Sequence, residues 1–495
     1  MTNSPEPGAG TEPGTGTEPG TEPAGPPTGG APLTHGLQTR HLTMMGLGSA
    51  IGAGLFLGSG VGIATAGPAV LVSYAIAGAL VVLVMRMLAE MAAALPASGS
   101  FSVYAETALG RWAGFLLGWL YWFMLIMVLG VEITGVAEIV HGWWPGVPQW
   151  AAAAVVVAVF GAINLVGVRH FGEAEFWFAL IKVAAIVGFL VVGVLVVVGV
   201  VPVEGSVLGH WDEHGGFAPA GWAGIAAGLL TVVFAFGGIE IVTIAAAEAR
   251  DPATAVVRAT RTILWRILAF YIGSVAIMVA LIPWDDADDL ASPFVTVLQM
   301  AGFDGAARLM EVVVVIALLS AFNANIYGTS RMLFSLAGRG DAPAAAARVS
   351  RRGVPAVAVW VSVAFGVVAV LLNWLLPETL LAILLNAVGA VLLVVWVLVA
   401  VSQLRLRPRL EAAARERGEP MALRAWGYPW LTWTVLAALA ALVVLMLSDD
   451  AARAQLVATA GVVAVILAAY LVRRRVRARR GRGTTGRDAP RDVPA

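Results

Sequence analysis

The sequence has no cysteine and little charge. The absence of cysteine excludes disulfides, thiolate metal sites and a cysteine nucleophile. Charged residues make up 13% of the chain and hydrophobic residues 59%, whereas about a quarter of a soluble domain is charged. This balance excludes a soluble enzyme, a nucleic-acid-binding protein and a disordered chain as descriptions of the whole sequence. Residues 1–30 also lack a basic start and an apolar core, so no cleavable signal peptide is predicted.

Long apolar runs make up most of the sequence. The mean hydropathy is +0.85, and the apolar runs are continuous over about 20 residues, a length typical of transmembrane helices rather than of outer-membrane barrel strands. We therefore predict an all-α integral membrane protein with about twelve spans. Numbered in chain order, the predicted spans are 42–65, 67–91, 112–140, 150–168, 176–201, 222–247, 263–283, 309–336, 354–375, 379–404, 428–447 and 454–472.

The two ends of the chain differ from this membrane domain, which is predicted to cover residues 35–475. Residues 1–34 are rich in glycine, proline, threonine and glutamate and are predicted to be disordered. Residues 476–495 are predicted to form a basic disordered tail. The arginines concentrate in the even-numbered connections and the tail, while the opposite loops carry only Arg308 and Arg453. By the positive-inside rule, both termini are predicted to be cytoplasmic.

Glycine clusters interrupt the first and sixth predicted spans. Such glycines indicate either close helix packing or a break in the helix that exposes backbone groups. Because the clusters lie one five-span unit apart, we favour breaks that form a transporter site. Free N–H groups near residues 52–54 can bind a carboxylate, and free carbonyls near 234–237 can accept hydrogen bonds from an ammonium group. A zwitterionic amino acid matches both.

Ionisable residues inside the predicted spans are functional candidates, because burying a charge in a bilayer is costly. Lys182 is the only lysine and is predicted to titrate or to replace a bound cation; the alternative is a lysine that extends to the interface. Glu240 is predicted to carry a coupling proton or to orient the broken backbone. Glu132 is predicted to face the substrate, with an interhelical polar contact as the alternative.

Other polar residues have less specific predictions. Ser320 and Asn323 share one face of the eighth span and either line the cavity or join helices. Arg86 and Glu90 lie four residues apart and are predicted to form a structural pair. Glu248 is predicted to be solvated at the membrane interface.

Several motifs, in order, resemble those of bacterial amino acid permeases of the amino acid–polyamine–organocation superfamily. The similarity covers roughly residues 36–475. The motifs include RHLTMMGLGSAIGAGLFLGSG, GPAVLVSYAIAGALVVLVMRMLAEM, GSFSVYAETALGRWAGFLLGWLYW, EFWFALIKV, FAFGGIEIVTIAAAEARDP and SRMLFSLAGRGDAP.

The resemblance implies a fold, a mechanism and a set of site residues. The expected fold has a five-plus-five inverted repeat with discontinuous first and sixth helices, followed by two further helices. The expected mechanism is amino acid uptake coupled to protons. The family's coupling residues correspond to Lys182 and Glu240. Its substrate-binding motifs correspond to Gly52, Ala53 and Gly54 in the first span and to Phe234, Ala235, Phe236 and Gly237 in the sixth.

Within the family, EIVTIAAAE, GRWAGFLLGWLYWF, LVAVSQLRLR and WGYPWLTW are most similar to 4-aminobutyrate (GABA) permeases. GABA is therefore the predicted substrate. Aromatic amino acids, proline, small neutral amino acids and an exchange mechanism are alternatives, and a channel is a more distant one. The predicted partners are the amino acid, protons and membrane lipid, with no nucleic acid; the oligomeric state is left open. No enzyme activity, cofactor or metal site is predicted, because neither a metal-binding motif nor a phosphate-binding loop is present.

Overall fold

A computed structural model describes residues 39–484, apart from 98, 167, 204–206, 208, 210, 212–213, 250, 378–379 and 449. Within these residues the chain forms helices and contains no β-strand. The α-helices are α1 (Thr39–Ala50), α2 (Ala53–Phe56), α3 (Gly58–Ala66), α4 (Val70–Ala94), α5 (Phe101–Leu109), α6 (Arg111–Trp143), α7 (Gln149–Val166), α8 (Val168–Val197), α9 (Gly221–Ala235), α10 (Ile241–Ala245), α11 (Pro252–Leu281), α12 (Ala287–Ala291), α13 (Pro293–Met300), α14 (Asp304–Gly338), α15 (Ala356–Leu375), α16 (Leu380–Glu416), α17 (Trp430–Met446) and α18 (Asp450–Thr484).

The twelve predicted spans correspond to these helices. Nine stretches of the described residues are long and apolar enough to cross a membrane, and one of them, Ala53–Ala94, contains the end of the first span and the whole of the second. The sixth and eleventh spans correspond to the shorter apolar helices α9 and α17. The first span is broken between α1 and α2, and the sixth is broken between α9 and α10. The prediction of discontinuous first and sixth helices is confirmed.

The first ten spans pack in two groups of four, with the fifth and tenth beside them. In one group α9 packs against α3 and α4, and α11 packs against α1 and α4, which joins spans one, two, six and seven. In the other group α6 and α15 both pack against α7 and α14, which joins spans three, four, eight and nine. Each group takes equivalent spans from both five-span units, as in an inverted-repeat transporter.

Local sequence explains where some of these helices begin. The side chain of Asp251 accepts a hydrogen bond from the N–H of Thr254 at 3.3 Å, and Pro252 occupies the first helical position of α11. Asp286 accepts hydrogen bonds from the N–H groups of Asp288 and Asp289 at the start of α12. A short acceptor before the helix and proline in its first turn are both favourable there, because these N–H positions have no partner inside the helix.

Two predictions about charged residues were wrong. Glu248 is fully buried, not solvated, and pairs with Arg331 at 2.8 Å. Glu90 pairs with Arg407 at 3.2 Å, while its predicted partner Arg86 lies over the ring of Trp426. The spacing of residues along one helix identified possible neighbours on that helix but gave no information about partners on distant helices.

The structure describes only part of the two predicted tails. α18 continues to Thr484, past residue 475, so residues 476–484 of the predicted disordered tail are helical. Residues 1–34 and 485–495 lie outside the described part of the chain, and their predicted disorder stays a prediction. The short helices α5, α12 and α13 lie in connections where the sequence analysis placed no element.

Candidate functional site

The first break places a carboxylate at the start of a half-helix. Gly52 has φ −142° and ψ −145°, a conformation outside the helical region, and α2 begins at Ala53. The N–H of Ala53 donates to the carboxylate of Glu132, at 3.2 Å from Oε1 and 3.3 Å from Oε2. A Cβ atom at Gly52 would lie 2.5 Å from Glu132 Oε1 and 2.9 Å from the Cβ of Ala321. A side chain at position 52 would therefore displace the carboxylate.

The second break requires glycine and a buried glutamate. Gly238 has φ 98°, a left-handed conformation that favours glycine, and a Cβ atom there would lie 2.7 Å from the carbonyl oxygen of Ser49. The carboxylate of Glu240 accepts the N–H of Gly238 through Oε2 and the Nε1–H of Trp396 through Oε1, both at 3.0 Å. Both oxygens of Glu240 thus hold the break in shape.

Two side chains and a close backbone contact join the breaks. The hydroxyl of Tyr271 lies 2.6 Å from the carbonyl oxygen of Ala50 and 2.9 Å from that of Ala235, although one hydroxyl hydrogen can serve only one of them fully at a time. Ser49 Oγ donates to the carbonyl of Gly238 at 2.9 Å. A Cβ atom at Gly54 would lie 2.6 Å from the Cα of Ala235, so the two broken segments touch through their backbones.

Lys182 binds the carbonyls that the first break exposes. Its Nζ donates to the carbonyl oxygens of Gly48 and, at 3.0 Å, Ile51. The side chain is fully buried, which excludes the alternative that it extends to the membrane interface. Lys182 also interacts electrostatically with Glu132 and Glu175.

A small cavity lies between the two breaks. Its volume is about 20 Å³, roughly the space for one water molecule. Five of the predicted substrate-binding residues line it: Gly52, Gly54, Glu132, Ala235 and Gly237. The rest of its wall is mostly apolar and is formed by Ser49, Ala50, Met124, Leu125, Val128, Gly238, Asn325 and Val388. Ala53 contributes its N–H to Glu132 at the same place.

The other predicted substrate-binding residues lie elsewhere. Phe236 is buried and stacks on Tyr271, with ring centroids 4.9 Å apart, so it packs behind the break and does not line the cavity. Ser320 and Asn323 also lie away from the cavity and contact residues on α7 and α8, which agrees with their alternative role of joining helices. The backbone of Phe234 belongs to α9, but its side chain lies outside the described residues.

Glu175 forms a second buried polar cluster beside Lys182. It is fully buried, and its Oε1 accepts a hydrogen bond from Ser320 Oγ at 2.6 Å. Asn323 lies next to it and accepts a hydrogen bond from Asn164 Nδ2 at 2.7 Å. Sequence reasoning missed Glu175 because the fifth span was predicted to begin at residue 176, which placed this carboxylate in a connection.

Tyr271 and Trp396 were missed as well. Both lie within long apolar spans and are common in membrane proteins, so nothing in the sequence around them indicated a hydrogen bond to a distant break. A helix break exposes backbone N–H and C=O groups, and each buried group needs a hydrogen-bond partner. Counting these groups would have indicated that polar side chains from other spans must reach the breaks.

A larger groove lies away from the breaks. It has a volume of about 970 Å³ and lies between α6 and α18, lined mainly by aromatic and aliphatic residues that include Phe115, Trp119 and Trp122. Its lining includes Asp341 and Arg473 but no residue of either helix break. We therefore place the candidate site at the small cavity, despite the greater size of the groove.

Known proteins are similar to this chain over most of its length. A family described as "Amino acid permease" matches residues 41–484. The aromatic amino acid transport protein AroP of Corynebacterium glutamicum is 54% identical over 85% of this chain and 91% of its own. A gamma-aminobutyric acid permease of Bacillus subtilis is 42% identical over 88% and 92%. A probable GABA permease of Pseudomonas aeruginosa is 43% identical over 91% and 94%.

Solved structures share the fold at much lower sequence identity. A manganese transporter of Eremococcus coleocola aligns over 88% of this chain and 92% of its own, with a TM-score of 0.54 and 14% identity. Identity this low supports the fold alone. In the part of the chain that the structure describes, no group of three or more histidine, aspartate or glutamate side chains is placed to hold a metal ion.

Proposed function

The chain belongs to the amino acid permease family, and from this premise we propose that it imports an amino acid across the plasma membrane together with protons. One observation carries the proposal. The carboxylate of Glu132 binds the Ala53 N–H at the start of a half-helix, inside a cavity shared by both breaks. The protein thus holds one of its own carboxylates where a substrate carboxylate would bind.

The second break supplies the other half of the site. Carbonyl oxygens of residues 235–237 can accept hydrogen bonds from the substrate ammonium group. The two broken segments touch between Gly54 and Ala235. The carboxylate and ammonium groups of the substrate must therefore be close together. An α-amino acid, whose charged groups are attached to one carbon, satisfies this requirement in any conformation.

Glu132 links binding to protons. Two ionised carboxylates cannot share the Ala53 N–H, because like charges repel strongly in a buried site. For the substrate to bind, Glu132 must therefore lose its charge by protonation or move away. Protonation of Glu132 on substrate binding provides the coupling. Lys182, which binds the carbonyls of Gly48 and Ile51, keeps its proposed coupling role, while the contacts of Glu240 support a role in shaping the second break.

Transport requires the cavity to open. Its volume of about 20 Å³ is too small for an amino acid, so the structure is closed around the site. Opening follows if the group of spans one, two, six and seven moves against the other group. The buried Glu248–Arg331 pair joins the end of the sixth span to the eighth, so it connects the two groups on the predicted cytoplasmic side.

The apolar wall of the cavity favours a large neutral substrate, aromatic in the first instance. Met124, Leu125, Val128 and Val388 line the side away from the backbone groups, and methionine adapts readily to different shapes. The name of the C. glutamicum relative supports this choice. GABA, predicted from the motifs, is the second candidate, and the names of the Bacillus and Pseudomonas relatives support it.

Uptake into liposomes tests the proposal. Purified protein in liposomes, given an inward proton gradient, should accumulate labelled phenylalanine or tryptophan, and a protonophore should abolish the accumulation. Competition by GABA but not by aromatic amino acids would identify GABA, the second candidate, as the substrate. Accumulation that is equally strong with the protonophore would contradict proton coupling.

Matched glycine variants connect uptake to the site. Gly52→Val should abolish substrate binding, because its side chain occupies the position of the carboxylate. Gly142 lies in α6, the helix that carries Glu132, and an added side chain there meets open space. The control variant Gly142→Val should therefore transport normally. If Gly52→Val folds correctly and binds substrate with normal affinity, the proposed carboxylate site is wrong.

A further inference from the structure

We propose that Glu175 passes the coupled proton from the substrate site to the predicted cytoplasmic side. The inference rests on the proton coupling proposed above and gives a role to Glu175, the first residue of the motif EFWFALIKV, which does not line the cavity. It is carried by the burial of Glu175, by its incomplete hydrogen bonding and by its position between Lys182 and an exposed acidic residue.

Glu175 has too few partners to be a purely structural carboxylate. Oε1 accepts a hydrogen bond from Ser320, and the Asn323 side chain lies beside the carboxylate. Among the described residues, Oε2 has no partner within hydrogen-bond distance. Among the described residues it forms no ion pair, whereas the equally buried Glu248 pairs with Arg331. Ionised carboxylates are costly to bury with so few partners, so this site favours a group that exchanges protons during the transport cycle.

The other described side chains around Glu175 are neutral. α1 faces it with Gly48, α14 with Ser320 and Asn323, and α7 reaches it through Asn164. The charged group that acts on its carboxylate is Lys182 on its own helix. Among the described residues, Glu175 is therefore the buried acidic acceptor beside Lys182 on this side of the break.

Gly48 connects Glu175 to Lys182. The carbonyl of Gly48 accepts a hydrogen bond from Lys182 Nζ, and a Cβ atom at Gly48 would lie 2.2 Å from Glu175 Oε1. The two ionisable residues are seven positions apart, about 10 Å along α8 and on the same face. Both therefore contact α1 beside the break, and a shift of α1 would change the surroundings of both.

The same two helices carry ionisable residues at their predicted cytoplasmic ends. Glu173 is 46% exposed, and its Oε2 lies 3.3 Å from Nε2 of the buried His41. His41 is seven residues before Gly48, so it lies on the same face of α1. From the predicted cytoplasmic end toward the break, α1 and α8 thus carry Glu173 and His41, then Glu175, then Lys182.

The proton step is simple. Once a shift of α1 brings the two groups within hydrogen-bond distance, an N–H bond of the Lys182 ammonium breaks, an O–H bond forms on the Glu175 carboxylate, and both side chains become neutral. Glu175 then releases the proton toward Glu173 and His41 and regains its negative charge. No oxidation or further reactant is involved.

Glu175→Gln separates this role from substrate binding. Glutamine keeps the size and the acceptor for Ser320 but cannot exchange a proton. In liposomes, exchange of labelled phenylalanine without a gradient should stay within about twofold of wild type, while gradient-driven accumulation and phenylalanine-dependent proton influx should each fall by about tenfold or more. Labelled GABA replaces phenylalanine as the probe if wild type prefers it. Glu175→Asp should recover part of the coupling.

The controls distinguish the possible failures. Glu138→Gln, at an exposed glutamate of α6, should behave as wild type. Accumulation and proton influx at wild-type levels in Glu175→Gln would overturn the assignment. So would loss of exchange together with accumulation in a folded protein, because that result indicates a structural role. If wild type itself shows no substrate-dependent proton influx, the proposed coupling fails, and the role of Glu175 fails with it.

Discussion

Two kinds of buried glutamate occur in this molecule. Glu90 and Glu248 each pair with a buried arginine, whereas Glu132 and Glu175 form no ion pair among the described residues and rely on single N–H or O–H donors. All four are at most 3% exposed. Their burial is the same, and what differs is whether a permanent positive charge accompanies the carboxylate.

The difference indicates which parts of the protein change during transport. Arginine stays charged at any physiological pH, so an arginine-paired carboxylate keeps its charge and its position. A carboxylate without such a partner is free to gain a proton or to exchange its hydrogen-bond donor. Glu90 and Glu248 therefore belong to the structural framework, and Glu132 and Glu175 to the transport cycle. Glu240 also lacks an arginine partner, but two N–H donors occupy its oxygens at the second break.

Breaking an arginine pair should have the largest effect on stability. Arg331→Met leaves Glu248 buried without its cation and should lower the free energy of unfolding by about 3–5 kcal/mol. Denaturant titration in detergent micelles measures this change. Adding Glu248→Gln to the same chain should restore most of the loss. A single variant as stable as wild type would show that the pair is not structural.

Lys182→Arg should have the next largest effect, because guanidinium is larger than ammonium and does not release its proton. Overpacking at this buried position should cost about 1–3 kcal/mol of stability. Gradient-driven accumulation should be lost even in the fraction that folds, whereas exchange should persist. Normal accumulation by Lys182→Arg would exclude deprotonation of this residue from the mechanism.

Tyr271→Phe tests the contact between the breaks. It removes the hydroxyl beside the carbonyls of Ala50 and Ala235 and should lower the free energy of unfolding by about 1 kcal/mol. Tyr470→Phe is the matched control, because that ring packs on Phe115 near the surface. Equal effects of the two variants would mean that the Tyr271 hydroxyl does not hold the breaks together.

Glu132→Gln should change stability least. Glutamine can still accept the Ala53 N–H, and removing a buried charge that lacks an ion-pair partner should alter the free energy of unfolding by less than about 1 kcal/mol. A loss comparable to that of Arg331→Met would place Glu132 with the structural glutamates.

The sequence predicted the spans and the breaks well, because both depend on local features. Apolar runs mark the helices, and glycines at 52, 54 and 238 mark places where a side chain would collide with another segment. It also indicated Glu132, because a carboxylate deep in an apolar span stands out.

Contacts between distant helices could not be predicted in the same way. Ser320 and Asn323 share a helix face, but whether that face meets the cavity or Glu175 depends on how α14 packs. Glu248 lies at the end of a span, where solvation is the ordinary outcome, and only Arg331 from another helix explains its burial. Glu175 was missed because the helix begins earlier than its apolar stretch.

Proton uptake on substrate binding tests the central claim most directly. Phenylalanine, or GABA if wild type prefers it, is added to purified protein in weakly buffered detergent solution with a pH indicator. Wild type should take up protons as it binds the amino acid, and Glu132→Gln should bind without taking up protons. Equal proton uptake by both proteins, or binding by wild type with no proton uptake, would contradict the account.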